Sequence, residues 1–377
     1  MEFSLADAAL SSSVYVHYPI CQHHCSYCDF NVSSRVSSPA GFDESWLLAL
    51  ERQFSAVCSP KKKKIKTFYL GGGTPSLLTL ESQKRLINIF NSRYLFSGET
   101  EFTIECNPEH LTKEHLVGLK EVGVNRVSLG IQTTLPKQLK RLERLATAGK
   151  IHKTVKWISE EFSNFSLDLM IGIPDQTLET LEEDLNFIKE VSPPHVSIYI
   201  LTLDDHHKWR TRPAIRSRLA DSELAAKMYE KVCEFMRSEG YCHYEVSNFS
   251  KPGFESQHNS NYWNVDSDYF GFGPGAHGYL KMNDGRRIRY ETERDLKLWS
   301  NSTNGISSFE TLSSEQKNLE RLYLSLRTRK PISIHDCQPK KLESLREGGL
   351  IVVENDAVLL TDKGWVLMEA IASELLF

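Results

Sequence analysis

Cys21, Cys25 and Cys28 fall within eight residues, in the run VYVHYPICQHHCSYCDFNV. Thiolates spaced this way on a tight loop can each grip one iron of a 4Fe–4S cluster. Three ligands for four irons leave one iron open. An open iron can chelate the amino and carboxylate groups of a small molecule and pass it an electron. Zinc is the competing occupant, with His17, His23 or His24 as fourth ligand, although no second C-x2-C or H-x3-H pair is evident. Unrelated buried thiols are the remaining alternative. Cys58, Cys106, Cys233, Cys242 and Cys337 are scattered and read as small buried hydrophobes.

The elements that would carry such a site alternate. Strands are expected at Ser13 to His17, Thr67 to Leu70, Glu101 to Glu105, Arg126 to Gly130, Ser166 to Met170 and Val196 to Leu201. Helical patterns fill the gaps. Trp46, Leu47, Leu50, Phe54 and Val57 make one apolar stripe, and Thr112 and Gly123 read as the cap and stop of another helix. Such alternation implies a parallel sheet with crossover helices, here an incomplete parallel (βα)6 barrel, with a doubly wound open sheet as the alternative. His17, the run Gly71-Gly72-Gly73-Thr74, Glu105, Gln132 and Asp168 then fall at or near the C-terminal ends of five strands, the edge where α/β folds build their sites.

Three domains are expected: 1–205 for the partial barrel, 206–310 as an extension closing it, and 311–377 as a C-terminal helical, winged-helix-like domain. The third is mixed in charge, so packing against the barrel is its expected role. Gly273-x-Gly275-x-x-Gly278 formally fits a dinucleotide fingerprint, but Pro274 interrupts it, no strand is expected to lead in and a hairpin is expected after it. Lys61 to Lys64 reads as a solvated loop.

In the 377 residues, 45 Lys+Arg stand against 49 Asp+Glu, a formal net charge of −4, which speaks against a dedicated nucleic-acid or membrane-surface binder. No apolar run approaches the ~18 residues that span a bilayer, and the N-terminus lacks the basic start and apolar core of a secretory signal. A soluble cytoplasmic protein is expected.

The C-x3-C-x2-C loop after a first strand, with Tyr27 before the third Cys, resembles the radical S-adenosylmethionine superfamily. In that family S-adenosylmethionine binds the open iron and is reductively cleaved. The segments YVHYPIC, GGGTPSLL, IECNPE, VSLGIQ, DLMIGIPDQT, HVSIYILT, YEVSNFSKPG, HNSNYW and GFGPGAHG occur in the order found in the oxygen-independent coproporphyrinogen III oxidase family and its haem-chaperone branch. The resemblance implies that Tyr15, Gly72 and Glu105 contact S-adenosylmethionine. It implies that Tyr27, Gly73, Thr74, Gln132, Arg144 and Asp168 line the adjoining site, Arg144 standing in an altered setting, LERLATAGKIH for LGRIH. Asp175 replaces a usual glycine, and LDDHHKWR replaces the usual EPGT loop on the substrate side, where His206 and His207 are either exposed loop residues or a local addition to the porphyrin site.

Between the two branches, the resemblance favours the chaperone. The oxidases carry a further Cys where this chain has Phe30, and a long N-terminal extension where 14 residues precede Tyr15. His258, Asn259, Tyr262 and Trp263 match the HNxxYW motif associated with haem binding: imidazole can ligate haem iron, and Tyr and Trp offer flat apolar surface. His277 is a second candidate. The implied function is binding haem as cargo and passing it to a haemoprotein, with an electron donor as a further partner and neither nucleic acid nor a membrane span involved. The alternative is oxidative decarboxylation of two propionates of a porphyrinogen to vinyls.

Overall fold

The computed structural model describes residues 11–34, 41–58, 62–203, 207, 209–210 and 212–376. The N-terminal ten residues, Lys61 and His206 lie outside the described residues. All six expected strands form: Ser13–Tyr18 (β1), Thr67–Gly72 (β2), Glu101–Cys106 (β3), Arg126–Gln132 (β4), Phe165–Ile171 (β5) and His195–Ile200 (β6). Between them run helices Phe42–Val57 (α1), Leu80–Asn91 (α2), Lys113–Val122 (α3), Ala148–Glu161 (α4) and Leu178–Val191 (α5). Contacts group the chain into two units. One is Met1–Leu169, Leu203–Ser217 and Asp268–Leu312; the other is Met170–Thr202, Arg218–Ser267 and Ser313–Phe377.

In the first unit β1 pairs in parallel with β2, β2 with β3, β3 with β4 and β4 with β5. These strands are buried almost throughout, as in a sheet covered on both faces, and the burial takes in polar residues such as Glu101, Thr103, Arg126 and Ser128. The apolar stripe of α1 is buried as expected, and its Phe54 meets Phe90 of α2 at 4.6 Å between ring centroids. Phe68 of β2 lies edge-on to both Phe90 and Phe102, each at 5.0 Å. Aromatic pairs of this kind add about 1 kcal/mol each beyond area burial. Thr112 caps α3 by accepting from His115 N at 3.2 Å, and Gly123 closes it at φ 103°.

The glycine-rich stretch near 270 differs from expectation. Phe270–Phe272 (β7) is a strand, parallel to β1 in the register Val14↔Phe270, so a strand does lead into the glycines. After the glycines the chain forms the expected hairpin, His277–Lys281 against Arg287–Thr292, and no helix for a dinucleotide phosphate. Gly273, at φ 92°, has no room for a side chain: a Cβ there would sit 2.3 Å from the His17 carbonyl oxygen. Lys63–Lys64, expected as loop, form a short exposed strand paired with Tyr94–Leu95.

In the second unit β6 pairs antiparallel with Asn248–Ser250, which pairs with Cys242–Glu245. Its C-terminal part holds helices Ser314–Arg327, Pro339–Glu347 and Met368–Leu376. The small antiparallel sheet there has Ala357–Leu360 between Ile332–Ser333 and Ile351–Glu354. Leu322, Leu326, Ile351, Val358, Trp365, Ile371 and Leu375 form its core, and Asn355 and Asp356, at φ 49° and 63°, make the tight turn of the ribbon. The expected α/β class is therefore present, with the parallel strands and crossover helices of a partial barrel and a winged-helix-like C-terminal part. Among the described residues no helix is long and apolar enough to cross a membrane.

Candidate cofactor site

The cysteine loop leaves β1 and is closed at its base. Ile20–Cys21 pairs with Ser33–Ser34, and Ser33 N donates to Pro19 O at 2.7 Å. Inside the loop Cys28 N donates to Cys25 O at 3.2 Å. The three thiols are free, Cys25 buried and Cys21 and Cys28 half-buried. Burial pushes Cys21 up to about 11, opposed by a hydrogen bond from Thr74 and reinforced by the other two thiols. Burial likewise pushes Cys28 up to about 11, with Cys25 adding to it, and raises Cys25. Burial keeps the three thiols protonated, and they would lose those protons on ligating a metal, which is the donor chemistry of an iron–sulfur cluster.

Among the described residues no three His, Cys, Asp or Glu side chains are grouped to hold a metal ion. The histidines considered as a zinc ligand are engaged elsewhere. His17 Nε2 meets Asn31 O at 2.9 Å and its Nδ1 meets the Tyr15 hydroxyl at 3.0 Å. This fixes the tautomer: Nε2–H donates to the carbonyl and Nδ1 accepts from Tyr15. His24 Nε2 meets Cys28 O at 3.1 Å, and His23 faces the Glu143 carboxylate at 3.7 Å.

Beside the loop, β2 ends in the glycine run. Gly72 is at φ 113°, and a Cβ there would lie 2.7 Å from the His17 ring; on Gly73 it would lie 2.6 Å from Ile20 O. The run is glycine because two backbones pass here in contact: Gly73 N donates to Tyr18 O at 2.7 Å and Thr74 N to Ile20 O at 2.8 Å. Glu105, near the end of β3, accepts from Gly72 N and from the Tyr69 hydroxyl, each at 2.9 Å. Burial pushes its carboxyl up to about 7, against these two hydrogen bonds, with Asp168 adding to the rise. Tyr15 is raised by burial and then by Glu105.

Arg144 reaches the cysteine loop despite its altered setting. The short helix Pro136–Arg141 ends in a Schellman turn: Arg144 N donates to Leu139 O at 2.9 Å and Glu143 N to Lys140 O at 3.2 Å. Glu143, where the LGR pattern has glycine, takes the left-handed conformation at φ 55°. The turn aims the buried Arg144 side chain at Cys25, Nη1 to Sγ 3.9 Å, with Nη2 donating to Gly130 O at 2.7 Å. Burial works against its charge, but Tyr27, Glu109 and Cys25 hold its pKa above the ordinary value. Asp175, the other glycine replacement, is also left-handed at φ 57°.

Tyr27 stacks edge-on against Trp209 at 6.4 Å, and His207 lies 3.3 Å from Asp29. Gln132, the last residue of β4, sits at φ 63° past an irregularity in the β4–β5 register. A non-glycine residue held there is a local strain of the kind that gathers at functional sites. Asp168 lies mid-strand rather than at the end of β5, and accepts from Ser128 Oγ at 2.7 Å and Ser166 Oγ at 2.8 Å. Asn107, which sequence reasoning did not single out, donates to Thr74 Oγ1 at 2.9 Å and accepts from Arg144 Nη2 at 2.8 Å. Its only signal was its place in the run IECNPE.

The haem-motif residues lie in the second unit, on and just after the short helix Gln257–Tyr262. Ser256 caps that helix by accepting from Asn259 N at 3.2 Å. His258 is 1% exposed, and its Nε2 meets the Tyr262 hydroxyl at 2.8 Å. Trp263 carries the Arg327 guanidinium 4.4 Å from its ring centroid. His277 is exposed and 3.9 Å from Glu291.

The Radical SAM superfamily matches residues 15–188. The heme chaperone HemW of Bacillus subtilis (strain 168) is 34% identical over 374 residues, covering 94% of this chain and 96% of that protein. The heme chaperone HemW of Escherichia coli (strain K12) is 36% identical over 278 residues, covering 74% of this chain and 72% of that one. Among solved structures, coproporphyrinogen III oxidase (HemN) from Escherichia coli, a radical SAM enzyme, matches with a TM-score of 0.82 at 20% identity, covering 98% of this chain and 92% of that chain. At that identity the likeness is one of fold.

Proposed function

We propose that this chain, which belongs to the heme chaperone HemW family of radical SAM proteins, binds haem and delivers it to a haemoprotein. The observation that carries this reading is the pairing of His258 with Tyr262 within one helical turn, rings 5.0 Å apart and edge-on. A neutral imidazole is an axial ligand for haem iron. The Tyr262 hydroxyl holds its Nε2 until iron replaces that contact. Asn259 and Trp263 complete the site in this reading, with Trp263 giving the macrocycle an aromatic face.

Cys21, Cys25 and Cys28 hold a 4Fe–4S cluster, and S-adenosylmethionine occupies the adjoining mouth. Bound there, the two supply one-electron chemistry. The chain's own residues shape that mouth. Gly72 lets β2 pass against His17, while Glu105 and Tyr15 present polar groups from β3 and β1. Thr74 and Arg144 aim donors at cluster sulfurs. Tyr27, Gly73, Gln132 and Asp168 line its margin. In this reading the cluster belongs to 1–205, haem to 206–310 and a packing role to 311–377. The acceptor haemoprotein and an electron donor are the partners, and the cytoplasm is the compartment.

Phe30, 64% exposed, stands where the oxidases of the wider family carry a further cysteine, which supports cargo binding over porphyrinogen decarboxylation. The test is anaerobic incubation of reconstituted protein with coproporphyrinogen III, dithionite and S-adenosylmethionine beside a haem titration. Saturable haem binding without protoporphyrinogen is expected. Formation of protoporphyrinogen overturns the reading.

A further inference from the structure

We infer that Asn107 is a positioning residue that holds the hydrogen-bond donors of two cluster cysteines and so sets the reduction potential of the cluster; this rests on the reading that Cys21, Cys25 and Cys28 carry one.

Five side chains from four segments form one chain of four contacts. Thr74 Oγ1 donates to Cys21 Sγ at 3.5 Å, and Asn107 Nδ2 donates to Thr74 Oγ1 at 2.9 Å. Asn107 Oδ1 accepts from Arg144 Nη2 at 2.8 Å, and Arg144 Nη1 reaches Cys25 Sγ at 3.9 Å. The chemistry of the ends fixes the orientation of the amide. A guanidinium has only donors, so Oδ1 must face Arg144 and Nδ2 must face Thr74. The Thr74 oxygen is thereby occupied as an acceptor, and its own proton is left to point at Cys21 sulfur. One amide thus touches the donors of both sulfurs, with Gly130 O sharing in the hold on Arg144 at 2.7 Å.

The backbone around Asn107 offers its side chain another use. Asn107 is the N-cap of the turn Pro108–His110, a position where asparagine usually caps with its own oxygen. It makes no side-chain cap there. The amide is turned instead toward Thr74 and Arg144, and Gly130 leaves room for it, since a Cβ on Gly130 would lie 3.2 Å from Asn107 Oδ1.

Hydrogen bonds to ligand sulfur stabilise the more negative, reduced cluster and raise its potential. Asn107→Asp keeps the shape and the Arg144 contact but cannot donate to Thr74. The Thr74 hydroxyl then turns its proton to the new carboxylate and abandons Cys21. The lost donor and the added charge move the potential in the same direction, downward.

The experiment is an EPR-monitored redox titration of the anaerobically reconstituted full chain, with iron content measured for each variant. At a fixed potential Asn107→Asp is expected to lower the ratio of reduced to oxidised cluster at least tenfold, about 59 mV for one electron. Thr74→Val, which removes the same bond to Cys21 while leaving Asn107 in place, is expected to shift the midpoint in the same direction. A full iron complement with an unmoved midpoint in either variant overturns the inference alone. Wild-type protein that takes up no cluster overturns the underlying reading as well.

Discussion

Gly72 and Glu105 are locked together: the backbone N–H at the end of β2 donates to a carboxylate oxygen near the end of β3 at 2.9 Å. Tyr69 takes the other oxygen. The glycine turn that passes against His17 is thus held from the neighbouring strand, and a carboxyl group is kept in the mouth of the site with both oxygens occupied. Its burial still dominates and pushes it up to about 7.

The raised Glu105 has a pH signature in the ligand-free protein. The folded state holds its proton more tightly than the unfolded state does, so its contribution to stability is full below about 4.5 and is lost as the pH rises toward about 7. Denaturant unfolding of wild type and Glu105→Gln across this range should show the wild type losing on the order of 3 kcal/mol relative to the variant. Parallel curves for the two proteins contradict the assignment.

His17 has the opposite sign. Burial lowers it to about 4, against the hydrogen bond to Asn31 and with Arg294 lowering it further. The unfolded state then binds the proton more readily, so the contribution of His17 is present above 6.5 and lost as the pH falls toward about 4. Wild type should lose stability relative to His17→Gln as the pH is lowered through that window. A difference that does not change with pH would show that the ring protonates in place.

The strands, the cysteine loop and the polar residues at the sheet edge were legible because each leaves a local mark: an apolar run, a spacing, a glycine cluster. β7 left little, since Phe270-Gly271-Phe272 has no periodicity to read and is defined by its partner β1. Arg144 looked displaced because its neighbour is not glycine, and only backbone geometry shows Glu143 making the left-handed turn. Asn107 was illegible for a different reason: Thr74 and Arg144 lie far from it in sequence and meet it only in the fold. The burial of His258 is likewise a packing fact that the motif HNSNYW does not contain.

Glu143→Gly should stabilise the protein. A non-glycine residue at a helix C′ position with positive φ carries about 1 kcal/mol of strain that glycine lacks. The ion pair lost with His23 is solvent-exposed and small. Urea unfolding should give a higher midpoint with an unchanged slope. A lower midpoint would mean that the Glu143 side chain contributes more than its backbone costs.

His258→Ala should weaken haem binding while leaving the iron–sulfur chromophore intact. Tyr262→Phe tests the same site from the other side. It removes the hydrogen bond between Tyr262 and Nε2, worth roughly 1 kcal/mol, so haem should bind severalfold more tightly. Absorbance titration with haem reads both variants. Weaker binding by Tyr262→Phe would make the tyrosine itself a haem contact.

The most direct test of the cluster is the iron content and EPR spectrum of the anaerobically reconstituted, dithionite-reduced protein with and without S-adenosylmethionine. The expected result is about four irons per chain, a signal that changes when S-adenosylmethionine is added, and loss of both in Cys21→Ala, Cys25→Ala and Cys28→Ala. Stoichiometric zinc with little iron, or an iron signal indifferent to S-adenosylmethionine, would contradict the account.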